Sequence, residues 1–145
     1  NVIENNLDIS TLRTCDLFGG TGSISYELCS RGARDCTIVE KDPSMYEFIK
    51  RTAAELKLEH FYPVRMEVFK FISQCTDTFD LIFAGPPYAL STIDDIPVRV
   101  VEKGLLGPGG WFILEHTPRN NYSGYPLFVT SRNYGTTIFS IFVNK

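Results

Sequence analysis

No long charge-free apolar run occurs in the 145 residues, and mean hydropathy is −0.04, so no membrane-spanning helix is expected. Excess basic charge is missing too. Fourteen Lys and Arg stand against 17 Asp and Glu, for a formal charge of −3 and a pI of about 5.4, which counts against a body that binds nucleic acid through a broad basic field. The four cysteines, Cys15, Cys29, Cys36 and Cys75, form no C-x-x-C pair and no cluster with histidine. Neither a metal site nor a disulfide framework is therefore expected, and reduced thiols fit a cytoplasmic enzyme. The opening Asn1-Val2-Ile3-Glu4-Asn5-Asn6 is polar and reads as the tail of a helix, not as a signal peptide. Internal repeats and low-complexity tracts are absent as well.

What is there is an alternation of buried apolar runs and helical patterns. A first run ends at Thr14-Cys15-Asp16-Leu17-Phe18 and meets Gly19-Gly20-Thr21-Gly22. A helix is predicted from Ser23 to about Arg31, stopped by Gly32. Cys36 to Val39 reads as a strand, and Asp42-Pro43 as an N-cap followed by proline in the first helical turn. Further strands are expected over Phe61–Met66, Phe79–Ala84 and Trp111–Leu114, with helices over Val68–Ile72 and from Pro97 to near Gly104. Leu127–Arg132 and Thr137–Val143 read as a hairpin around Asn133-Tyr134-Gly135. The pattern is α/β, an open, mostly parallel, Rossmann-like sheet with one antiparallel strand late and a C-terminal hairpin, in a single domain over 1–145. Such sheets bind ligands beyond the carboxyl ends of their strands.

The residues at those ends are chemically suggestive. Glycines 20 and 22 let the backbone turn sharply and approach a ligand. The dinucleotide spacing G-x-G-x-x-G fails, because its third glycine would fall on Ser25. An acid before the glycines, Asp16, would repel pyrophosphate but can hold the cationic amino-acid end of S-adenosylmethionine. Glu40, twenty residues past Gly20, can hold ribose hydroxyls. Glu67 can accept from an adenine amino group or cap the next helix. Gly85-Pro86-Pro87-Tyr88 is a rigid loop with carbonyls free to accept and a ring able to stack on a base.

Together these residues resemble the class I S-adenosylmethionine-dependent methyltransferases. Asp16–Ser23, Ser30-Arg31-Gly32-Ala33, Phe79–Tyr88 and the Tyr134-Gly135 hairpin are similar, more narrowly, to the RsmD family of 16S ribosomal RNA guanine-N2 methyltransferases. The resemblance implies S-adenosylmethionine as cofactor, S-adenosylhomocysteine as product and no metal. It implies a cofactor set of Asp16, Phe18, Gly20, Gly22, Ser23, Glu40, Lys41, Glu67 and Val68, and a catalytic loop of Gly85, Pro86, Pro87 and Tyr88. Tyr88 and Arg119 would meet the substrate, 16S ribosomal RNA in the small subunit, and the enzyme would act as a monomer. It also implies a basic segment ahead of residue 1.

The motif departs from its family at one position. Gly85 stands where Asp or Asn is expected to hold the amino group of the base, and losing such a partner commonly costs about 10²–10³ in rate. Three other readings therefore stay open: an adenine-N6 DNA methyltransferase, a cofactor- and RNA-binding module weakened in catalysis, and a nicotinamide-dependent oxidoreductase. His116 reads as a hydrogen-bonded strand-end histidine before it reads as a base. Arg13, Arg31, Arg34, Lys41, Arg119 and Arg132 are scattered candidates for phosphate contact. Asn120, Asn121, Tyr122 and Tyr125 could pair or stack with a flipped nucleotide.

Overall fold

Among the described residues, seven strands make one sheet: β1 (Arg13–Asp16), β2 (Asp35–Val39), β3 (Phe61–Val64), β4 (Phe79–Ala84), β5 (Leu106–His116), β6 (Phe128–Tyr134) and β7 (Thr137–Val143). Their order is β3-β2-β1-β4-β5-β7-β6. The computed structural model describes residues 8–20 and 22–145; the opening at 1–6, expected to be a helix tail, lies outside them. β1 to β5 pair in parallel, and β7 runs antiparallel to both β5 and β6. β7 is thus the one reversed strand, as the sequence pattern anticipates.

Among the described residues, four α-helices cover the two faces: α1 (Ser23–Ser30), α2 (Pro43–Glu55), α3 (Val68–Gln74) and α4 (Asp95–Lys103). Alternation along the strands decides which face each residue serves. Cys15, Leu17, Ile82, Ala84, Phe112 and Leu114 point to the side packed by Val68, Phe71 and Ile72 of α3 and by Ile96 and Val100 of α4. Cys36, Leu81, Phe83 and Ile113 point to the other side, where Leu28 of α1 packs. Central strands buried on both faces explain the near-continuous apolar runs.

Local signals set most helix ends. The Asp42 carboxylate accepts from the Met45 amide at 2.8 Å, capping α2 with Pro43 in its first turn; such a cap stabilises a helix by about 1 kcal/mol. Gly104 closes α4 in the left-handed region. α4 begins at Asp95, two residues before the expected Pro97. A proline in the first turn removes an N–H that has no intrahelical partner there, so Pro97 does not mark the start. β5 is longer than the apolar run predicts, because Leu106 already pairs with Phe79 ahead of an irregularity in register. β3 stops at Val64 rather than Met66, and the hairpin turn falls at Gly135-Thr136, with Tyr134 paired to Thr137.

Candidate active site

The chain runs from β1 outward to β3, then crosses back to place β4 on the other side of β1. This reversal leaves a crevice at the carboxyl ends of β1 and β4. A cavity of about 430 Å³ opens there, within the range of about 300–1,000 Å³ usual for small-molecule sites. Of the residues expected from sequence, Phe18, Gly20, Glu40, Lys41, Glu67, Val68, Gly85, Pro86 and Pro87 line it. Leu17, Val39, Phe69, Leu90 and Thr92 also line it, without having been singled out.

The polar groups on the wall are held in place. Glu40 accepts from the Gly20 amide through one oxygen and from the Asp42 amide through the other, both at 2.9 Å. This carboxylate ties the glycine loop to the end of β2. Gly20 and Gly22 take positive φ, +54° and +84°, and a Cβ on Gly22 would stand 2.5 Å from the Tyr26 ring. The turn into α1 therefore requires glycine at 22 on two counts. Glu67 accepts from the Phe69 and Lys70 amides at 2.9 and 3.1 Å. Its carboxylate takes up the capping role of the two read from sequence, while the residue still lines the cavity.

Asp16 lies beneath this wall. It is 5% exposed, and burial pushes its carboxyl up to about 8, with hydrogen bonds from the Phe18 amide and Ser25 opposing the shift. A buried acid one residue before cavity-lining Leu17, its ionisation disfavoured by that burial, suits a ligand that brings a positive charge. Gly22 is buried and Ser23 exposed, and neither lines the cavity.

The loop after β4 divides the site. Gly85, Pro86 and Pro87 face the cavity, but Tyr88 does not line it. The Tyr88 ring is 48% exposed, and its hydroxyl donates to Glu115 at 2.7 Å and lies 3.3 Å from the Thr137 hydroxyl. Glu115 had no place among the expected site residues. Its signal was present in the chain: like Glu40, it is the acid that directly follows a buried apolar run.

The remaining candidates separate cleanly. His116 is buried, with Nδ1 2.8 Å from the Thr117 carbonyl and Nε2 2.6 Å from the Ser140 hydroxyl. A carbonyl only accepts, so Nδ1 donates and, in the neutral ring, Nε2 accepts from Ser140. Both nitrogens are committed, which leaves no base. Tyr122 is 1% exposed, edge-on to His116 and Tyr125, with its hydroxyl donating to Asp94; it is core, not a stacking platform. Asn120 donates to Asp94, and Asn121 accepts from the Ser123 amide. Arg119 is exposed in the same loop and lines neither the cavity nor the neighbouring pocket around His116. Arg13 pairs with Asp35 at 3.1 Å, at the opposite end of the sheet, and Arg31 pairs with Glu27. Among the described residues, no helix is long and apolar enough to cross a membrane.

The family described as Conserved hypothetical protein 95 matches residues 1–143. The ribosomal RNA small subunit methyltransferase D of Buchnera aphidicola is 22% identical over 125 residues, 81% of this chain and 64% of that relative. The chain thus spans just under two thirds of that relative's length. Among solved structures, a conserved hypothetical protein of Streptococcus pyogenes is 28% identical over 94% of this chain and 88% of its own, with a TM-score of 0.82. A 16S rRNA N2 guanine methyltransferase of Thermus thermophilus, in complex with AdoMet and guanosine, is 18% identical with a TM-score of 0.76. It matches 92% of this chain and 38% of its own. The fold is that of the Rossmann-like methyltransferases.

Proposed function

The chain belongs to the Conserved hypothetical protein 95 family, and we propose that it transfers a methyl group from S-adenosylmethionine to the exocyclic N2 of a guanine in small-subunit ribosomal RNA. One observation carries this reading. At the switch point of the sheet, a single cavity gathers the glycine loop, Glu40, Glu67 and the Gly85-Pro86-Pro87 loop. The 16S rRNA reading also draws on what its relatives are named for.

The residues present fit that cofactor. Glu40 is fixed by two backbone donors and keeps lone pairs for the ribose hydroxyls. Val68 opens α3, where first-turn amides lack intrahelical partners, so it can donate to the adenine edge. Asp16 would ionise against the ammonium group. Bound there, S-adenosylmethionine supplies a methyl group activated by the sulfonium charge. The protein's task is then to exclude water and to align the amino nitrogen with that carbon. The guanine nitrogen forms the new N–C bond, the C–S pair returns to sulfur, and one amino proton is lost. Arg119, exposed in the loop after β5, would meet a phosphate of the substrate. We place the enzyme in the cytoplasm, acting as a monomer.

The test is transfer of tritiated methyl from S-adenosylmethionine to undermethylated small ribosomal subunits, followed by nucleoside analysis. The expected result is label in N2-methylguanosine. Label in DNA adenine instead, or binding of NAD in preference to S-adenosylmethionine, would overturn the reading.

A further inference from the structure

Position 85 offers no side chain to hold the amino group of the base, yet an acidic oxygen lies beside it. A Cβ built on Gly85 would stand 3.1 Å from the Phe83 ring and 3.4 Å from Glu115 Oε1. A carboxylate grown from that Cβ would carry its oxygens about 2.4 Å away by ordinary bond lengths. Glu115 Oε1 therefore reaches, from the neighbouring strand β5, into the space that an Asp or Asn side chain at 85 would enter. Its other oxygen accepts from Tyr88 of the same loop at 2.7 Å, which fixes the carboxylate toward Gly85. Residue 85 does not take positive φ, so its backbone does not demand glycine.

We propose that Glu115 is the catalytic acceptor in this chain, and that Gly85 leaves room for it. The proposal rests on the guanine reading above. The amino group donates one hydrogen to Glu115 Oε1 and the other to the Pro86 carbonyl. Held this way, the nitrogen pyramidalises and its lone pair leaves conjugation with the ring. The lone pair forms the N–C bond while the C–S bond breaks, its electron pair staying on sulfur as a neutral thioether. The nitrogen, now cationic, gives one proton to water. The acceptor has moved from the loop after β4 to the end of β5, and the chemistry is unchanged.

The test is a swap. Glu115→Ala is expected to lower kcat on small subunits by about 10²–10³-fold, with S-adenosylmethionine affinity by calorimetry unchanged. Glu115→Gln keeps a carbonyl oxygen and retains most of the rate. Gly85→Asp alone brings two carboxylates together, so it gains no activity and lowers the melting temperature. In the Glu115→Ala background the same Asp restores transfer, and its melting penalty shrinks. That melting cycle reads the geometry without any substrate. Should Glu115→Ala not fold, Glu115→Met keeps the bulk and is expected to show the same loss of rate.

Turnover of Glu115→Ala within about threefold of wild type would overturn the assignment of Glu115 alone. So would a gain of activity from Gly85→Asp while Glu115 is in place. A wild-type chain that binds S-adenosylmethionine but methylates no small-subunit guanine would overturn the guanine reading, and the proposal with it.

Discussion

The two halves of the sheet's carboxyl edge are built by different rules. On the β1–β3 side, the polar groups are held by backbone amides, most of them close by in sequence. Glu67 is fixed by the first turn of the helix it precedes, and Glu40 by Asp42 and by the glycine turn. On the β4–β5 side, the polar groups hold one another across distant segments: Tyr88 to Glu115 and Thr137, and His116 to Ser140. The first side is a rigid cradle that a short motif can encode. The second is an assembly of side chains from two strands and a loop, where one residue can take over another's task. Gly85 lies on the border between them, and the family pattern holds on one side and shifts on the other.

The largest effect is expected from removing the tie of the first side. Glu40→Ala deletes both acceptors for the ribose hydroxyls and frees the Gly20 turn. Hydrogen bonds to a charged group contribute about 1.5–3 kcal/mol each, so S-adenosylmethionine affinity should fall at least about 10²-fold. The Tyr88–Glu115 pair lies outside this change. Calorimetry checks the loss of affinity, and kcat at saturating cofactor checks that the second side still works. A matching collapse of kcat would erase the distinction between the two sides.

The same contrast explains what the sequence discloses. Asp16-Leu17-Phe18-Gly19-Gly20 ahead of a helix, Glu40 closing a β-branched run and Asp42-Pro43 opening α2 are local patterns whose physics lies within a few residues. They are legible, as are the strand runs, because central strands must be apolar on both faces. Glu115 was invisible as a partner of Gly85 because only the parallel pairing of β4 with β5 brings them together. Tyr88 was read as a stacking ring because a Pro-Pro-Tyr loop says nothing about which way its tyrosine turns. Glu67 caps the helix it precedes and lines the cavity as well, so its two readings stand side by side. Pro97 misled because a proline marks the first turn of a helix, not its first residue.

Asp16 gives a smaller, pH-dependent effect on the cradle side. Its folded value of about 8 lies above the ordinary 3.8, so between those values the folded chain holds a proton the unfolded chain has lost, and stability falls progressively as pH rises from about 4 to about 8 and levels off above. Without cofactor, the melting temperature should fall over that window, and Asp16→Asn should flatten the slope. Cofactor binding has the opposite sign. Ionised Asp16 is the form that pairs with the ammonium, itself titrating at about 7.7–8.0. Affinity should therefore climb up to tenfold per pH unit toward 8 and then decline. The Asn variant should bind more weakly and lack the rising limb. An unchanged pH profile would mean that Asp16 does not meet the ammonium.

The smallest effect probes the second side. Tyr88→Phe keeps the ring and removes one hydrogen bond from Glu115. The residue is 48% exposed, and exposed charged contacts contribute about 0.2–1 kcal/mol. Glu115 keeps its place on β5 opposite Phe139, so it loses only one restraint on its carboxylate. The expected result is a fall in kcat of about 2–5-fold, with affinity for S-adenosylmethionine unmoved. If Glu115 acts on the base and Tyr88 acts through Glu115, then Tyr88→Phe has no further effect once Glu115 is Ala. Single-turnover rates of the four chains in that cycle measure this. Additive losses would separate the tyrosine hydroxyl from Glu115 and assign it a contact of its own with the substrate.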